Sequence, residues 1–128
     1  MAVTHSTAAR NAATDAVTAL IGASGRLKFH ITGSTVAAPS TVVANLALSA
    51  TAFGASASGT ATANAITSDT NAAGGTVAFA SLQTSGGTAV IHCAVAASAS
   101  DINMTNGLTV TAGDTVACSG LSYAALSA

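Results

Sequence analysis

Residues 75–97, GTVAFASLQTSGGTAVIHCAVAA, are the stretch from which the fold follows. Apolar residues alternate with small or polar ones on both of its arms: Val77, Phe79, Ile91, Cys93 and Val95. A period of two is typical of strands that bury one face. Between the arms, Ser85-Gly86-Gly87 tolerates the positive φ angles that tight hairpin turns require. The stretch therefore predicts a β-hairpin.

The composition outside the hairpin is poor in charge and in large side chains. The 128 residues, enough for one domain over 1–128, are about one quarter Ala and include no Trp or Glu. Charged residues make up 5%, against about 25% in an ordinary domain. Because Ala buries little area and a net charge of −1 gives weak self-repulsion, we expect a marginal monomer that gains stability as a homo-oligomer.

The N-terminal segment predicts one helix over about residues 6–21. Ser6 or Thr7 can cap its start, and Gly22 suits the position that follows its end. One face of the predicted helix is apolar: Ala9, Ala13, Ala16, Val17, Leu20 and Ile21. The opposite side carries polar residues: Arg10, Asn11, Thr14, Asp15 and Thr18. Two interpretations stay open, since the apolar face can pack on the chain's own sheet or the helix can reach a neighbouring subunit.

The rest of the chain predicts seven or eight short strands at even spacing. They are the two hairpin arms and residues 26–32, 42–50, 60–66, 102–104, 108–111 and 115–121, the last two joined by a turn at 112–114. A loop containing Pro39 is expected over 33–41. On the first strand Leu27, Phe29 and Ile31 point one way, and Lys28, His30 and Thr32 the other. The pattern predicts a mainly β fold, an antiparallel β-sandwich or jelly-roll-like barrel over about 26–123 with one N-terminal α-helix.

Cys93 and Cys118 each lie among apolar residues of a predicted strand. They are either two small buried hydrophobic side chains or, if their strands are neighbours, a disulfide. His92 directly precedes Cys93 in the chain and therefore points to the opposite face of the strand. It does not serve as a base for Cys93, so a nucleophilic cysteine is not expected.

No motif for catalysis, metal binding or cofactor binding is present. His5, His30 and His92 lack metal-ligand spacing, and Asp69, Asp101 and Asp114 fall in turns, where Asp bonds its own backbone. No paired carboxylates or serine elbow stand out. Three Lys and Arg residues argue against nucleic-acid binding. We also expect no membrane span and no signal peptide, and hence synthesis in a host cytoplasm.

The order of segments resembles a group of small proteins encoded among the structural genes of tailed bacteriophages and prophages. The segments are ARNAATDAVTALIGAS (9–24), GRLKFHITG (25–33), LALSATAFGAS (46–56), TATANAITSDT (60–70), AVIHCAVA (89–96) and LTVTAGDTVACSGLSY (108–123). The most specific is ATANAITSDT, residues 61–70. The resemblance implies a virion component, and it brings no catalytic residues.

We therefore expect a structural virion protein, foremost a capsid decoration (cement) protein that binds the major capsid protein between capsomers. The alternative within the particle is a tail, collar or connector component. A carbohydrate-binding module on a jelly roll is a third hypothesis. It is disfavoured because sugar platforms need exposed aromatic rings, whereas Phe29 and Phe79 are expected in the core.

Overall fold

A computed structural model describes residues 3–31 and 41–126. Within these ranges it contains helix α1 (Thr7–Ala19) and nine strands: β1 (Arg26–His30), β2 (Val42–Ala47), β3 (Ala61–Thr62), β4 (Gly75–Thr76), β5 (Phe79–Gln83), β6 (Ala89–Ala96), β7 (Ile102–Asn103), β8 (Thr109–Val110) and β9 (Ser122–Tyr123). The predicted mainly β class with one N-terminal helix is confirmed. Thr32 and the loop predicted for residues 33–40, with Pro39, lie outside the described residues.

The main sheet has five strands in the order β2-β1-β5-β6-β7 and curls into a half-barrel. Its first four strands pair antiparallel, but β7 runs parallel to β6. The sheet is therefore mixed, and the wholly antiparallel arrangement expected from the sequence is wrong at this edge. Two small ladders, β3 with β9 and β4 with β8, accompany it. The sandwich or jelly-roll arrangement stays a prediction.

The predicted hairpin is present as β5 and β6. Thr84 N donates to Thr88 O at 2.9 Å, and Gly87 N donates to Thr84 O at 3.0 Å. Gly87 has φ +91°, a left-handed conformation that an L side chain rarely adopts. The glycine-rich turn thus closes the hairpin where the sequence places it.

One side of the sheet forms the core. Its large members are few, and the fully buried ones include Leu27, Leu46, Leu82 and Val43. The remaining space is filled by alanines buried to 5% exposure or less: Ala44, Ala52, Ala61, Ala72 and Ala80. Each of these contributes little apolar area, so the few large side chains supply most of the hydrophobic stabilisation.

The closing hairpin expected from residues 108–111 and 115–121 is wrong. The turn between them exists, because Asp114 N donates to Thr111 O at 3.0 Å. However, β8 pairs with β4. A Cβ on Gly74 would lie 2.6 Å from Ala112 N, so only glycine allows this close approach of the two backbones. Val116 makes an isolated bridge to Asp69 instead.

Ser6 caps the helix as predicted, its side chain accepting a hydrogen bond from Ala9 N at 3.2 Å. Gly22 follows the helix with φ +70°, the left-handed conformation expected after a helix end. In the described part of the chain, no helix combines the length and apolar character needed to cross a bilayer.

Candidate functional surfaces

The helix is attached to the body through polar contacts. Arg10 Nη2 donates to Ser58 O at 2.7 Å, and Thr14 Oγ1 donates to Gly59 O at 2.7 Å. Asn11 Oδ1 accepts from Gly59 N, also at 2.7 Å. A Cβ on Gly59 would lie 2.8 Å from Arg10 Nε, so a glycine at this point lets the helix approach the loop closely.

Further contacts hold the same side of the helix. Ser56 N donates to Asp15 Oδ1 at 2.9 Å, and Ala125 N donates to Thr14 Oγ1 at 3.1 Å. Thr14 is fully buried as a result. Of the two interpretations of the helix, packing of its apolar face on the chain's own sheet is therefore wrong, since its polar side faces the body. The physical reason is that the loop carries carbonyl and amide groups, which hydroxyl, amide and carboxylate side chains satisfy and alanines do not. Contact of the helix with a neighbouring subunit stays a prediction.

The opposite side of the helix is an exposed apolar face. It consists of residues that are exposed to solvent and uncharged: Ala8, Ala9, Ala12, Ala16, Ala19 and Leu20. Leu20 is 65% exposed, and Val3, just before the helix, is 73% exposed. These two are the exposed large hydrophobic residues of the described chain. We call this set, with Val3, the outer helix face.

A polar cluster lies buried on the other side of the main sheet. His30 Nε2 and Ser81 Oγ are 2.7 Å apart, and Gln83 Nε2 donates to Ser81 Oγ at 2.8 Å. His30 and Ser81 are fully buried, and Gln83 is 2% exposed. His30 lies on the face opposite Leu27 and Phe29, as the alternation predicts, but it is buried there. A serine beside a histidine is the arrangement of many hydrolases, but here both side chains are buried.

His92 extends this cluster on β6, directly across from Ser81 in the strand register. Its ring lies 5.0 Å from the Phe79 ring, centroid to centroid. The buried Nε2 atom of His92 has no hydrogen-bond partner in the structure. Among the described residues, no three His, Cys, Asp or Glu side chains come together as a metal site would require.

The two cysteines are free thiols in this structure. Cys93 lies buried on β6, where burial raises the pKa of its thiol to about 11, with a smaller contribution from the negative charge of Asp101. Cys118 is half-buried, and its thiol donates to Gly120 O at 3.3 Å. The pairing of Cys93 with Cys118 stays a prediction.

All four aspartates of the chain brace its loops. Asp69 accepts from Asn45 N and Asn71 N, both at 2.9 Å. The other three each accept one backbone N–H: Asp15 from Ser56, Asp101 from Ala94 and Asp114 from Thr111. Asp69 and Asp114 each bond a backbone N–H within three residues, as their turn positions predict, whereas Asp15 and Asp101 bond residues farther away in the chain.

A cleft of about 880 Å³ opens beside the edge strand β7. One wall is formed by residues 101–107 and the other by residues 115–122, with Phe29 and Val110 among the apolar residues that line it. Among the described residues, Lys, Arg and His are absent from the lining, and its two carboxylates are Asp101 and Asp114. No pattern in the sequence pointed to this cleft, because β7 and the 115–122 wall are distant in the chain from Phe29.

Comparison of the chain with protein-family models, with curated proteins and with solved structures gives no match.

Proposed function

We propose that this chain is a structural protein of a tailed-phage particle, foremost a capsid decoration protein. The observation that carries the proposal is the outer helix face, an uncharged apolar surface turned away from the body. A surface of this kind is suited to contact with another protein. The sequence resemblance to phage structural proteins supplies the setting, the virion.

The remaining features are consistent with an architectural role. The four carboxylates each accept backbone N–H hydrogen bonds, and Ser81 and His30 are buried. In the proposed mechanism the protein forms a homo-oligomer and binds the major capsid protein between capsomers. Many weak contacts repeated by symmetry then add up to firm attachment. Because the protein binds only the assembled shell, it stabilises that shell by mass action.

A carbohydrate-binding role is less well supported by the aromatic residues. Phe29 and Phe53 are buried, and Tyr123 is partly exposed. The expectation that Phe79 lies in the core is wrong, because this side chain is also partly exposed and its ring lies beside the His92 ring. None of the described aromatic rings therefore offers the open, flat surface on which a sugar ring stacks.

The test uses phage particles prepared with and without this protein. We expect particles that lack it to release DNA at a lower temperature, and we expect surface density between capsomers to disappear from reconstructions. Unchanged heat resistance together with unchanged shell density would refute the decoration role. Densitometry of purified virions then addresses the alternative, because a shell protein is present in hundreds of copies and a tail, collar or connector component in far fewer.

A further inference from the structure

We propose that Asn106 is a covalent modification site, at which the side-chain amide is converted into a carboxylate by spontaneous deamidation. The backbone nitrogen of Gly107 attacks Cγ of Asn106, so that an N–Cγ bond forms and the Cγ–Nδ2 bond breaks. The proton from Gly107 leaves with Nδ2 as ammonia, and a cyclic succinimide remains. Water then opens this ring at either carbonyl, which gives aspartate or, with the backbone passing through the side chain, isoaspartate. Nothing in the reaction depends on the virion assignment.

The residue that follows an asparagine determines how readily this ring closes. A side chain on that residue crowds the attacking nitrogen, whereas glycine has none and leaves the backbone free to reach the required conformation. Asn106-Gly107 is the one Asn-Gly pair in the sequence, because the other five asparagines precede Ala, Leu or Met. The local sequence therefore singles out Asn106.

The structure places this pair in an open turn. Thr105, Asn106 and Gly107 are all exposed, and a Cβ built on Gly107 would meet nothing within 4 Å. The N–H of Gly107 donates to Met104 O at 3.1 Å, which closes the turn. The reaction requires this hydrogen bond to open, and an exposed turn opens at low cost in free energy. Asn106 is therefore expected to react in the folded protein.

Most of the other asparagines are held by their surroundings. Three of them have side chains that bond backbone groups: Asn11, Asn64 and Asn103. The side chains of the remaining three form no hydrogen bond within the described structure: Asn45, Asn71 and Asn106. An unbonded side chain is free to rotate toward the backbone nitrogen that follows it, so these three are the candidates for reaction.

Two of these three candidates are protected by the residue that follows. Asn45 lies in β2 and precedes Leu46, a bulky side chain that is fully buried. Asn71 precedes Ala72, which is 2% exposed and whose N–H donates to Asp114 O at 3.0 Å. In both cases the attacking nitrogen belongs to a buried residue that carries a side chain. Asn106 alone combines a free side chain with an exposed glycine.

The product changes the chemistry of the cleft beside β7. Asn106 lines this cleft together with Asp101 and Asp114, and Lys, Arg and His are absent from the described lining. Deamidation places a third carboxylate there and adds one negative charge to a chain whose net charge is −1. Isoaspartate also lengthens the backbone by one methylene just after β7, which aspartate does not. The two products thus share a charge and differ in backbone.

The experiment incubates the full-length protein at 37 °C, at pH 7.4 and at pH 8.5, and follows every asparagine by peptide mass spectrometry. Electron-transfer fragmentation separates isoaspartate from aspartate. We expect Asn106 to react before any other asparagine and to give isoaspartate as the main product. The rate should be higher at pH 8.5, because the N–H of Gly107 must lose its proton before it attacks.

Two variants each change one step of the reaction. Asn106→Gln lengthens the side chain, so that attack would close a larger and less favourable ring, and Gly107→Ala places a methyl group beside the attacking nitrogen. We expect each to slow the reaction at residue 106 by about tenfold or more. Gly107 has φ +101°, where alanine is strained, so Asn106→Gln, which keeps this glycine, is the decisive variant.

A third variant, Asn106→Asp, is the marker for the charge of the product. The acidic species that forms in the unmodified protein should elute with this variant in ion-exchange chromatography, and Asn106→Gln should form no such species. Several results would overturn the proposal: another asparagine reacting before Asn106, equal formation of the acidic species by the unmodified protein and Asn106→Gln, or reaction of Asn106 in urea but not in native buffer.

Discussion

Thr14 joins three parts of the chain through one hydroxyl group. Its Oγ1 donates to Gly59 O and accepts from Ala125 N, and the residue is fully buried. Replacing it by valine keeps the shape but removes the hydrogen-bond partner of the buried Gly59 C=O and of the partly buried Ala125 N–H. We expect Thr14→Val to lower the free energy of unfolding by about 1–3 kcal/mol, measured by urea denaturation. The control is Thr18→Val, because the Thr18 hydroxyl bonds only carbonyls of its own helix, and equal losses would contradict the prediction.

Cys93 gives the fold a pH dependence at alkaline pH. Its pKa is about 11 in the folded protein against a reference value of 9.0, so between these values the folded state keeps a proton that the unfolded state releases. The free energy of unfolding therefore falls as pH rises through this window, by roughly 2–3 kcal/mol in total. Urea denaturation at pH 8.5 and pH 10.5 measures about 2 kcal/mol of this loss. In Cys93→Ala the loss should shrink by that amount, and an identical loss would contradict the assignment.

The same thiol should resist modification in the folded protein. With a pKa of about 11, roughly one Cys93 side chain in a thousand is a thiolate at pH 8. Burial adds a steric barrier. We expect iodoacetamide to label Cys118 in the native protein and Cys93 only after unfolding, as read by peptide mass spectrometry. Labelling of Cys93 first would contradict this order.

At the scale of elements, the β5–β6 hairpin depends on the conformation of one glycine. Gly87 has φ +91° with open space around the position of a Cβ, so a substitution there costs backbone strain alone. We expect Gly87→Ala to lower the free energy of unfolding by about 1 kcal/mol in urea denaturation. Gly86→Ala is the matched control, because its φ is not positive and the new Cβ would meet only Thr84 Oγ1 at 3.8 Å. A larger loss for Gly86→Ala would refute this account of the turn.

Caps and turns, which a few neighbouring residues determine, could be predicted from the sequence. Pairings between segments that are distant in the chain could not. The Ser6 cap, Gly22 after the helix and the Gly87 turn are each determined within a few residues, and all three are confirmed. The partner of β8 depends on a close approach between Gly74 and Ala112, 38 positions apart in the chain, which no periodicity reveals. The prediction that the apolar face of the helix packs on the sheet is wrong for the same reason, because the groups that bond its polar side lie in residues 56–59 and 125.

Features of the candidate functional surfaces could likewise be predicted only where neighbouring residues determine them. The turn signals around Asp69, Asp101 and Asp114 predict that these side chains bond backbone groups, and each one accepts a backbone hydrogen bond. The burial of His30 could not be predicted, because the alternation gives only its face of the strand, and its partner Ser81 comes from a strand 51 positions away. The cleft is likewise a product of topology, since it exists only because β7 ends the main sheet.

For the whole molecule, the distribution of charge and of apolar surface determines how it meets other proteins. Arg10 and Asp15 of the helix bond the body, while the outer helix face carries no charge along its alanines. A helix of 13 residues is about 20 Å long, so this face alone is smaller than the roughly 800 Å² per partner of a stable interface. Association through it is therefore expected to be weak in dilute solution and to strengthen as copies are held side by side.

We expect copies of the chain to associate weakly through the outer helix face. Placing a charge at the centre of the outer helix face, in Ala12→Arg, should shift the weight-average mass at high protein concentration toward the monomer by sedimentation equilibrium, because burying an unpaired charge is costly. Ala97→Arg, on an exposed residue just after β6, is the control and should associate as the unmodified chain does. Thermal unfolding of both variants at low concentration should match, since both positions are exposed and neither packs against the body. Equal association of the two variants would show that the copies meet elsewhere and would contradict the prediction.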